Sequence, residues 1–153
     1  MHEKYMRLAI EEAKKGEGFV NPNPLVGAVI VKNNKILGIG HHKRYGENHA
    51  EINAILDAKN KNNDIENATI YVNLEPCSHY GKTPPCADAI IKNKFKRVVI
   101  GCLDSNKKVA GNGIKKLREA KIEVIENILE EECRKLNEVF FHYINSKKPF
   151  MVM

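Results

Sequence analysis

Read from the amino end, the apolar positions change their period several times. Tyr5, Leu8, Ala9 and Ala13 recur at helical spacing, and Gly16 and Gly18 then end that helix. Asn21-Pro22-Asn23-Pro24 follows as a stiff turn, because each proline fixes its own φ and drives the preceding residue out of the helical region. Residues 25–31 form an apolar, β-branched run that predicts a strand, and Lys32-Asn33-Asn34-Lys35 folds it back onto 36–40 as a hairpin. A helix is predicted over 49–59, with Ile52, Ile55 and Leu56 as its buried stripe, and a strand over 69–74. Pro84-Pro85 opens a helix reaching Lys92, since proline is tolerated in a first helical turn. Beyond it the pattern predicts a strand over 97–103, a helix over 113–120, a strand over 122–125 and a last helix over 130–143.

After the hairpin, strands and helices alternate, and strands joined through helices pair in parallel by right-handed crossovers. The expected architecture is a single α/β domain, a five-stranded mixed sheet with helices on both faces. No internal repeat, interdomain linker or low-complexity tract interrupts it. The final stretch, Lys147-Lys148-Pro149-Phe150-Met151-Val152-Met153, reads like the start of a further strand.

Composition narrows the class. A chain of 153 residues suits one domain, and at that size roughly 68–70% of the unfolded surface is buried. A core is therefore available without disulfide staples. With 42% hydrophobic and 29% charged residues, collagen-like, low-complexity and strongly disordered classes are excluded. The longest apolar runs, 25–31 and 98–103, are both interrupted by glycine and fall far short of the ~18 residues needed to span a bilayer. Met1-His2-Glu3-Lys4-Tyr5-Met6-Arg7 puts acid and base where a signal peptide needs apolar residues, so a cytoplasmic chain without a membrane partner is expected. The 25 Lys and Arg against 19 Asp and Glu leave a charge of +6 spread over many lysines. That distribution reads as a solvated surface, and no nucleic-acid partner is expected. The four cysteines, at 77, 86, 102 and 133, are too few and too unevenly placed for a secreted disulfide framework. Thiols near a histidine in a reducing compartment point to metal or nucleophilic chemistry instead.

Three segments carry that chemistry: His49-Ala50-Glu51, Glu75-Pro76-Cys77 and Pro84-Pro85-Cys86. The first begins a predicted helix, Cys77 ends a strand and Cys86 opens the next helix. In an α/β sheet the carboxyl ends of strands and the amino ends of following helices meet in one crevice. One imidazole and two thiolates leave a tetrahedral zinc with an open position, the pattern of a catalytic rather than a closed structural site. The two thiolates also neutralise the cation, so a water in the open position has its pKa lowered towards ~7. Glu51 lies two residues from His49, about 200° around an ideal helix. It is therefore expected not as a ligand on the same face but as an acid/base beside that water. Zinc nucleobase deaminases carry His-x-Glu followed by Pro-Cys-x-x-Cys, with that Glu as acid/base. Here eight residues, Ser78 to Pro85, separate the cysteines instead of two.

The longer spacing is the most specific signal in the chain. Leu74-Glu75-Pro76-Cys77-Ser78-His79-Tyr80-Gly81-Lys82-Thr83-Pro84-Pro85-Cys86, together with Asn21-Pro22-Asn23-Pro24-Leu25-Val26-Gly27-Ala28-Val29 and His49-Ala50-Glu51, resembles the pyrimidine deaminases of riboflavin biosynthesis, the diaminohydroxyphosphoribosylaminopyrimidine deaminases. The resemblance covers essentially the whole chain. It implies a three-layer cytidine deaminase-like fold, one Zn2+ per chain at His49, Cys77 and Cys86, and Glu51 as proton shuttle. It further implies Asn23 as a hydrogen-bond partner of the pyrimidine, and His42, His79, Lys82 and Thr83 around the substrate and its ribose phosphate. Asp104 and Asn106 match the family's ribosyl-contacting loop. That loop usually reads Asp-Pro-Asn-Pro, whereas here it is Asp104-Ser105-Asn106-Lys107, without either proline. Lys82 also stands just ahead of the predicted helix start, where phosphates bind readily.

In this family the deaminase is often followed by an NADPH-dependent reductase. Residues 1–145 are accordingly expected to form the deaminase domain, and 146–153 to resemble the junction, with no NADPH bound on this chain. Oligomeric state stays open, with a homo-oligomer as one outcome. Two rival readings stay open too. A tRNA adenosine deaminase shares His-Ala-Glu but should show Cys-x-x-Cys and a concentrated basic face. A zinc-stabilised binding module needs a fourth protein ligand, for which His79 is the candidate. Cys102 and Cys133 are expected in the core, His41 at a strand end or the surface, and Gly111-Asn112-Gly113 at a helix start.

Overall fold

A computed structural model describes residues 1–20, 23–44, 46–78, 85–103 and 110–138. Its elements run α1 (His2–Lys14), β1 (Gly27–Lys32), β2 (Lys35–His41), α2 (Ala50–Asn60), β3 (Thr69–Leu74), α3 (Cys86–Lys92), β4 (Arg97–Cys102), α4 (Asn112–Glu119), β5 (Glu123–Ile125) and α5 (Glu130–Leu136). The five strands form one sheet in the order β2-β1-β3-β4-β5. β1 pairs antiparallel with both β2 and β3, whereas β3–β4 and β4–β5 are parallel. The β1–β2 hairpin closes through Asn33 and Asn34, both at positive φ (54° and 62°), the backbone that a tight hairpin turn demands and asparagine tolerates.

Both faces of the sheet are covered, as the alternation within each central strand requires. Ala28, Ile30, Ile70, Val72, Val98 and Ile100 face a core shared with α2, α3 and α4. Val29, Val31, Tyr71 and Val99 face the opposite core, with Met6 and Ala9 of α1 and Cys133 of α5. β3 is buried along its whole length, as expected of a central strand covered on two sides. Cys102 and Cys133 both lie in this second core.

Four details differ from the sequence-based expectation. Leu56 is 45% exposed, and the buried stripe of α2 is Ala50, Glu51, Ala54, Ile55 and Ala58. The reason lies in β2: a Cβ at Gly38 or Gly40 would collide with the backbone of α2 at Ala54. The helix therefore lies so close to β2 that the alanines Ala54 and Ala58 take the places facing these glycines, and the face carrying Leu56 turns outwards. Secondly, α2 begins at Ala50, and His49 precedes it in extended conformation (φ −69°, ψ 166°). Thirdly, β1 begins at Gly27 instead of Leu25, because side chains and not a neighbouring strand take the Leu25 backbone groups. Fourthly, the last helix, predicted to run to residue 143, ends at Leu136, where Asn137 leaves helical geometry (φ −110°, ψ 26°) to reach Leu25 with its side chain; residues 139–143 and the strand-like segment 147–153 lie outside the described residues.

Candidate active site

The carboxyl end of β3 and the amino ends of α2 and α3 converge on one point. Cys77 follows β3 after Glu75 and Pro76, and Cys86 is the first residue of α3. The backbone N–H of Cys86 donates to Cys77 Sγ at 3.1 Å, and that of Ala87 donates to the Cys77 carbonyl at 3.0 Å. The start of α3 thus holds Cys77 through main-chain groups. His49 Nδ1 lies 3.3 Å from Cys86 Sγ and 3.9 Å from Cys77 Sγ. All three donor atoms lie within 4.8 Å of one another. A tetrahedral zinc with ordinary Zn–S and Zn–N bond lengths sets N···S separations of about 3.6 Å. The two observed distances bracket that value, so the trio fits the ion, with Nδ1 as the imidazole donor.

Electrostatics agrees with the donor set. The Cys77 thiol is held down to about 4, chiefly by the Cys86 thiol, with His49 and the Cys86 N–H adding to that and burial opposing it. The Cys86 thiol is pushed up by sharing its proton with Cys77, by burial and by the Glu51 charge. The two thiols are thus pulled apart, Cys77 downwards and Cys86 upwards. His49 is raised by its hydrogen bond to Cys77, against the effect of burial. Its Nδ1 is nearer Cys86, but Cys77 carries the negative charge and so dominates the interaction.

Glu51 is 3% exposed. Burial pushes its carboxyl from 4.5 up to about 7; the Cys77 thiolate adds to the rise, while the Cys86 thiol hydrogen-bonds it. The expected 200° separation from His49 does not apply, because the chain is still extended at residue 49 and turns helical only at Ala50. That bend lets His49 and Glu51 face the same sulfurs. A buried carboxyl poised near neutrality can hold or release a proton at working pH.

His42 is 3% exposed, and its ring meets that of His49 edge-on at 5.4 Å. Its Nδ1 lies 3.0 Å from the Asn48 carbonyl, and its Nε2 lies 3.1 Å from Asn23 Nδ2. The carbonyl accepts only from an N–H, which assigns the ring proton to Nδ1 and makes Nε2 the acceptor for Asn23. Burial lowers the His42 pKa and favours this neutral form. The structure thus brings Asn23, His42, His49, Glu51, Cys77 and Cys86 into one continuous cluster. His79, Lys82, Thr83, Asp104 and Asn106 lie outside the described residues. His41 ends β2 and pairs with the buried Glu12 at 2.6 Å. Gly111, at φ 88°, precedes the first residue of α4.

Glu75 and two buried asparagines were not singled out from sequence. The Glu75 carboxylate accepts from the N–H groups of Gly111 (2.9 Å), Gly113 (2.9 Å) and Ile114 (3.3 Å), so it caps α4 from the segment that leads to Cys77. Its signal was present, since it belongs to the Glu-Pro-Cys motif. Asn73 and Asn137, 0% and 4% exposed, grip the segment before β1. Neither stands in a motif, and nothing local distinguishes them from solvated polar residues.

Comparison with known proteins places these features in context. Residues 1–102 match the model of the cytidine and deoxycytidylate deaminase zinc-binding region. The chain is 53% identical to the riboflavin biosynthesis protein RibD of Actinobacillus pleuropneumoniae, over 97% of this chain and 39% of that protein. It is 49% identical to the diaminohydroxyphosphoribosylamino-pyrimidine deaminase of Buchnera aphidicola subsp. Schizaphis graminum, over 95% of this chain and 97% of that one. The crystal structure of a diaminohydroxyphosphoribosylaminopyrimidine deaminase/5-amino-6-(5-phosphoribosylamino)uracil reductase from Thermotoga maritima superposes with a TM-score of 0.93 at 54% identity, covering 97% of this chain and 42% of that one. The chain thus spans about two fifths of the RibD proteins it matches and nearly all of the Buchnera deaminase.

Proposed function

Given that the chain belongs to the diaminohydroxyphosphoribosylaminopyrimidine deaminase family of zinc-binding cytidine deaminase-like proteins, we propose that it hydrolyses 2,5-diamino-6-(5-phosphoribosylamino)pyrimidin-4(3H)-one to 5-amino-6-(5-phosphoribosylamino)uracil and ammonia. The observation that carries the reading is the convergence of His49, Cys77 and Cys86 beside the buried carboxyl of Glu51. When bound there, zinc supplies a Lewis acid that makes water nucleophilic near neutral pH. Glu51 accepts a proton of the attacking water and delivers it to the ring nitrogen, which keeps it; it then takes the proton of the newly added hydroxyl and delivers that one to the departing amine. Water thus adds at the carbon bearing the exocyclic amine, the C–N bond breaks as the carbonyl forms, and ammonia leaves with the second proton. Burial, the largest cause of its raised pKa, suits the Glu51 carboxyl to both halves of that transfer.

Asn23 presents its remaining amide capacity to the pyrimidine once its Nδ2 has engaged His42. His42, neutral and pinned at both nitrogens, orients Asn23 and buttresses the ring of His49. By motif correspondence, His79, Lys82 and Thr83 serve the ribose phosphate, and Asp104 and Asn106 the ribosyl group. Residues 1–145 form the deaminase unit and 146–153 correspond to the family's junction. NADPH binding is not assigned to this chain, nor is a nucleic-acid partner. Among the described residues no helix is long and apolar enough to cross a membrane.

The test is ammonia release from the phosphoribosyl diaminopyrimidinone by the zinc-loaded protein. Lys82→Ala should lower kcat/KM roughly 10- to 150-fold on that substrate, the worth of one charge-assisted hydrogen bond, and do little on the dephosphorylated analogue. Deamination of a tRNA adenosine instead would overturn the substrate assignment.

A further inference from the structure

The segment that carries Asn23 enters the sheet without a ladder of its own. Strand pairing starts only at Gly27. Two buried carboxamides replace the missing pairing at Leu25. The Leu25 N–H donates to Asn137 Oδ1 at 2.6 Å, and Asn137 Nδ2 donates back to the Leu25 carbonyl at 2.9 Å. Asn73 Nδ2 donates to the same carbonyl at 3.0 Å, while Asn73 Oδ1 accepts from the Gly27 N–H at 2.8 Å. A carboxamide sets a donor and an acceptor side by side, so it answers one residue's N–H and C=O as a neighbouring strand does. The reciprocal bonds also fix which way each amide points.

Asn73 belongs to β3, but Asn137 comes from 112 residues further along the chain than Leu25, at the end of α5. α5 is itself anchored: Cys133 packs so closely on β4 that a Cβ at Gly101 would collide with its sulfur. Between the clamp and Asn23 stands only Pro24, whose ring fixes φ and transmits the orientation of the Leu25 peptide. The adjacent Val26 carbonyl accepts from the His42 N–H at 3.1 Å, so the partner of the Asn23 side chain hangs from the same segment.

We propose that Asn137 is a positioning residue for the deaminase reaction: through its two hydrogen bonds to Leu25 it sets the place of Asn23 beside His42. The proposal rests on the reading of Asn23 as a substrate contact. Asn137→Leu keeps the branched shape of the side chain and removes both bonds. In the zinc-loaded protein it should lower kcat/KM roughly 10- to 100-fold, the scale of an ångström-sized misplacement, with the change in KM and the zinc content unaltered. Added to Asn23→Ala, it should cost nothing further, because its effect passes through Asn23. Losses that multiply, or a metal content that falls, would overturn it. A direct readout comes from amide hydrogen exchange of the wild-type protein, which needs no variant to fold. The Leu25 amide, outside the ladder, should exchange as slowly as the β1 ladder amides. Exchange at the rate of an exposed loop would refute the clamp. If the wild type released no ammonia from the pyrimidine, the functional reading would fall, whereas the exchange rate at Leu25 would still decide whether the clamp exists.

Discussion

Two buried carboxylates flank the same strand end in opposite surroundings. Glu51 and Glu75 are 3% and 7% exposed. Glu75 meets three N–H groups of a helix start, donors that have no partner within the helix and need one. Glu51 lies against two thiols and an imidazole, with a negative sulfur as neighbour, and its carboxyl rises to about 7. Burial is nearly equal in the two cases, so burial does not decide the role. The partners differ: Glu75 meets fixed backbone donors that it braces, whereas Glu51 meets a charged thiolate that raises its carboxyl further.

The strongest test of that contrast is on Glu51. Glu51→Gln should retain zinc, measured by metal analysis, while turnover falls about 10²–10⁴-fold, the usual contribution of a positioned acid/base. Loss of zinc instead would make Glu51 a ligand and erase the distinction.

Gly113→Ala probes the brace from its other side. A Cβ there would strike the Pro76 carbonyl and crowd the Glu75 side chain, forcing α4 away at a cost of typically 1–3 kcal/mol. Thermal unfolding should register it as a Tm lower by several degrees, at about 2–4 °C per kcal/mol for a chain of this size.

Glu75→Gln should act in the same direction and by a similar or smaller amount. One amide oxygen replaces two, and charge-assisted bonds of about 1.5–3 kcal/mol each become ordinary ones. Turnover per zinc-loaded molecule should change far less than in Glu51→Gln. A loss of turnover as large, at unchanged stability, would break the comparison.

A third buried carboxylate sharpens it with the smallest effect. Glu12, 6% exposed on α1, pairs with Lys15 and His41. Burial alone raises its pKa, but hydrogen bonds and charge from Lys15 and His41 outweigh it, so the carboxyl is held below 4.5. A group lowered on folding stabilises the protein above its unfolded value, and that stability is lost as pH falls through the lowered native value. The urea midpoint of the wild type should therefore drop on the acid side of pH 4.5 more steeply than that of Glu12→Gln.

How much of this was legible beforehand varies with the range of the interaction. The strand at 69–74 matched to the residue, because its β-branched and aromatic run is bounded by a polar loop before it and by Glu75-Pro76 after it. The His49, Cys77 and Cys86 trio, which the fold brings within 4.8 Å, stood out because each residue sits at an element boundary, where Pro85, Pro76 and the end of a polar loop mark the chain. The buried stripe of α2 was not readable. Leu56 looked like a core residue until Gly38 and Gly40, on another element, brought the helix too close for it.

Local physics determined the helices, strands and ligand types, since periodicity, proline stiffness and thiolate chemistry act within a few residues. The His49-Ala50-Glu51 pattern sufficed to propose a ligand and a proton carrier, but not their geometry. Only the folded chain decided that His49 stays extended, so that Glu51 turns towards the same sulfurs. Only the folded chain, too, gave Asn137 its place on Leu25, 112 residues away. An asparagine reads alike in sequence whether water or a buried peptide satisfies it. Which of the two it meets depends on packing between distant elements, and no local pattern carries that.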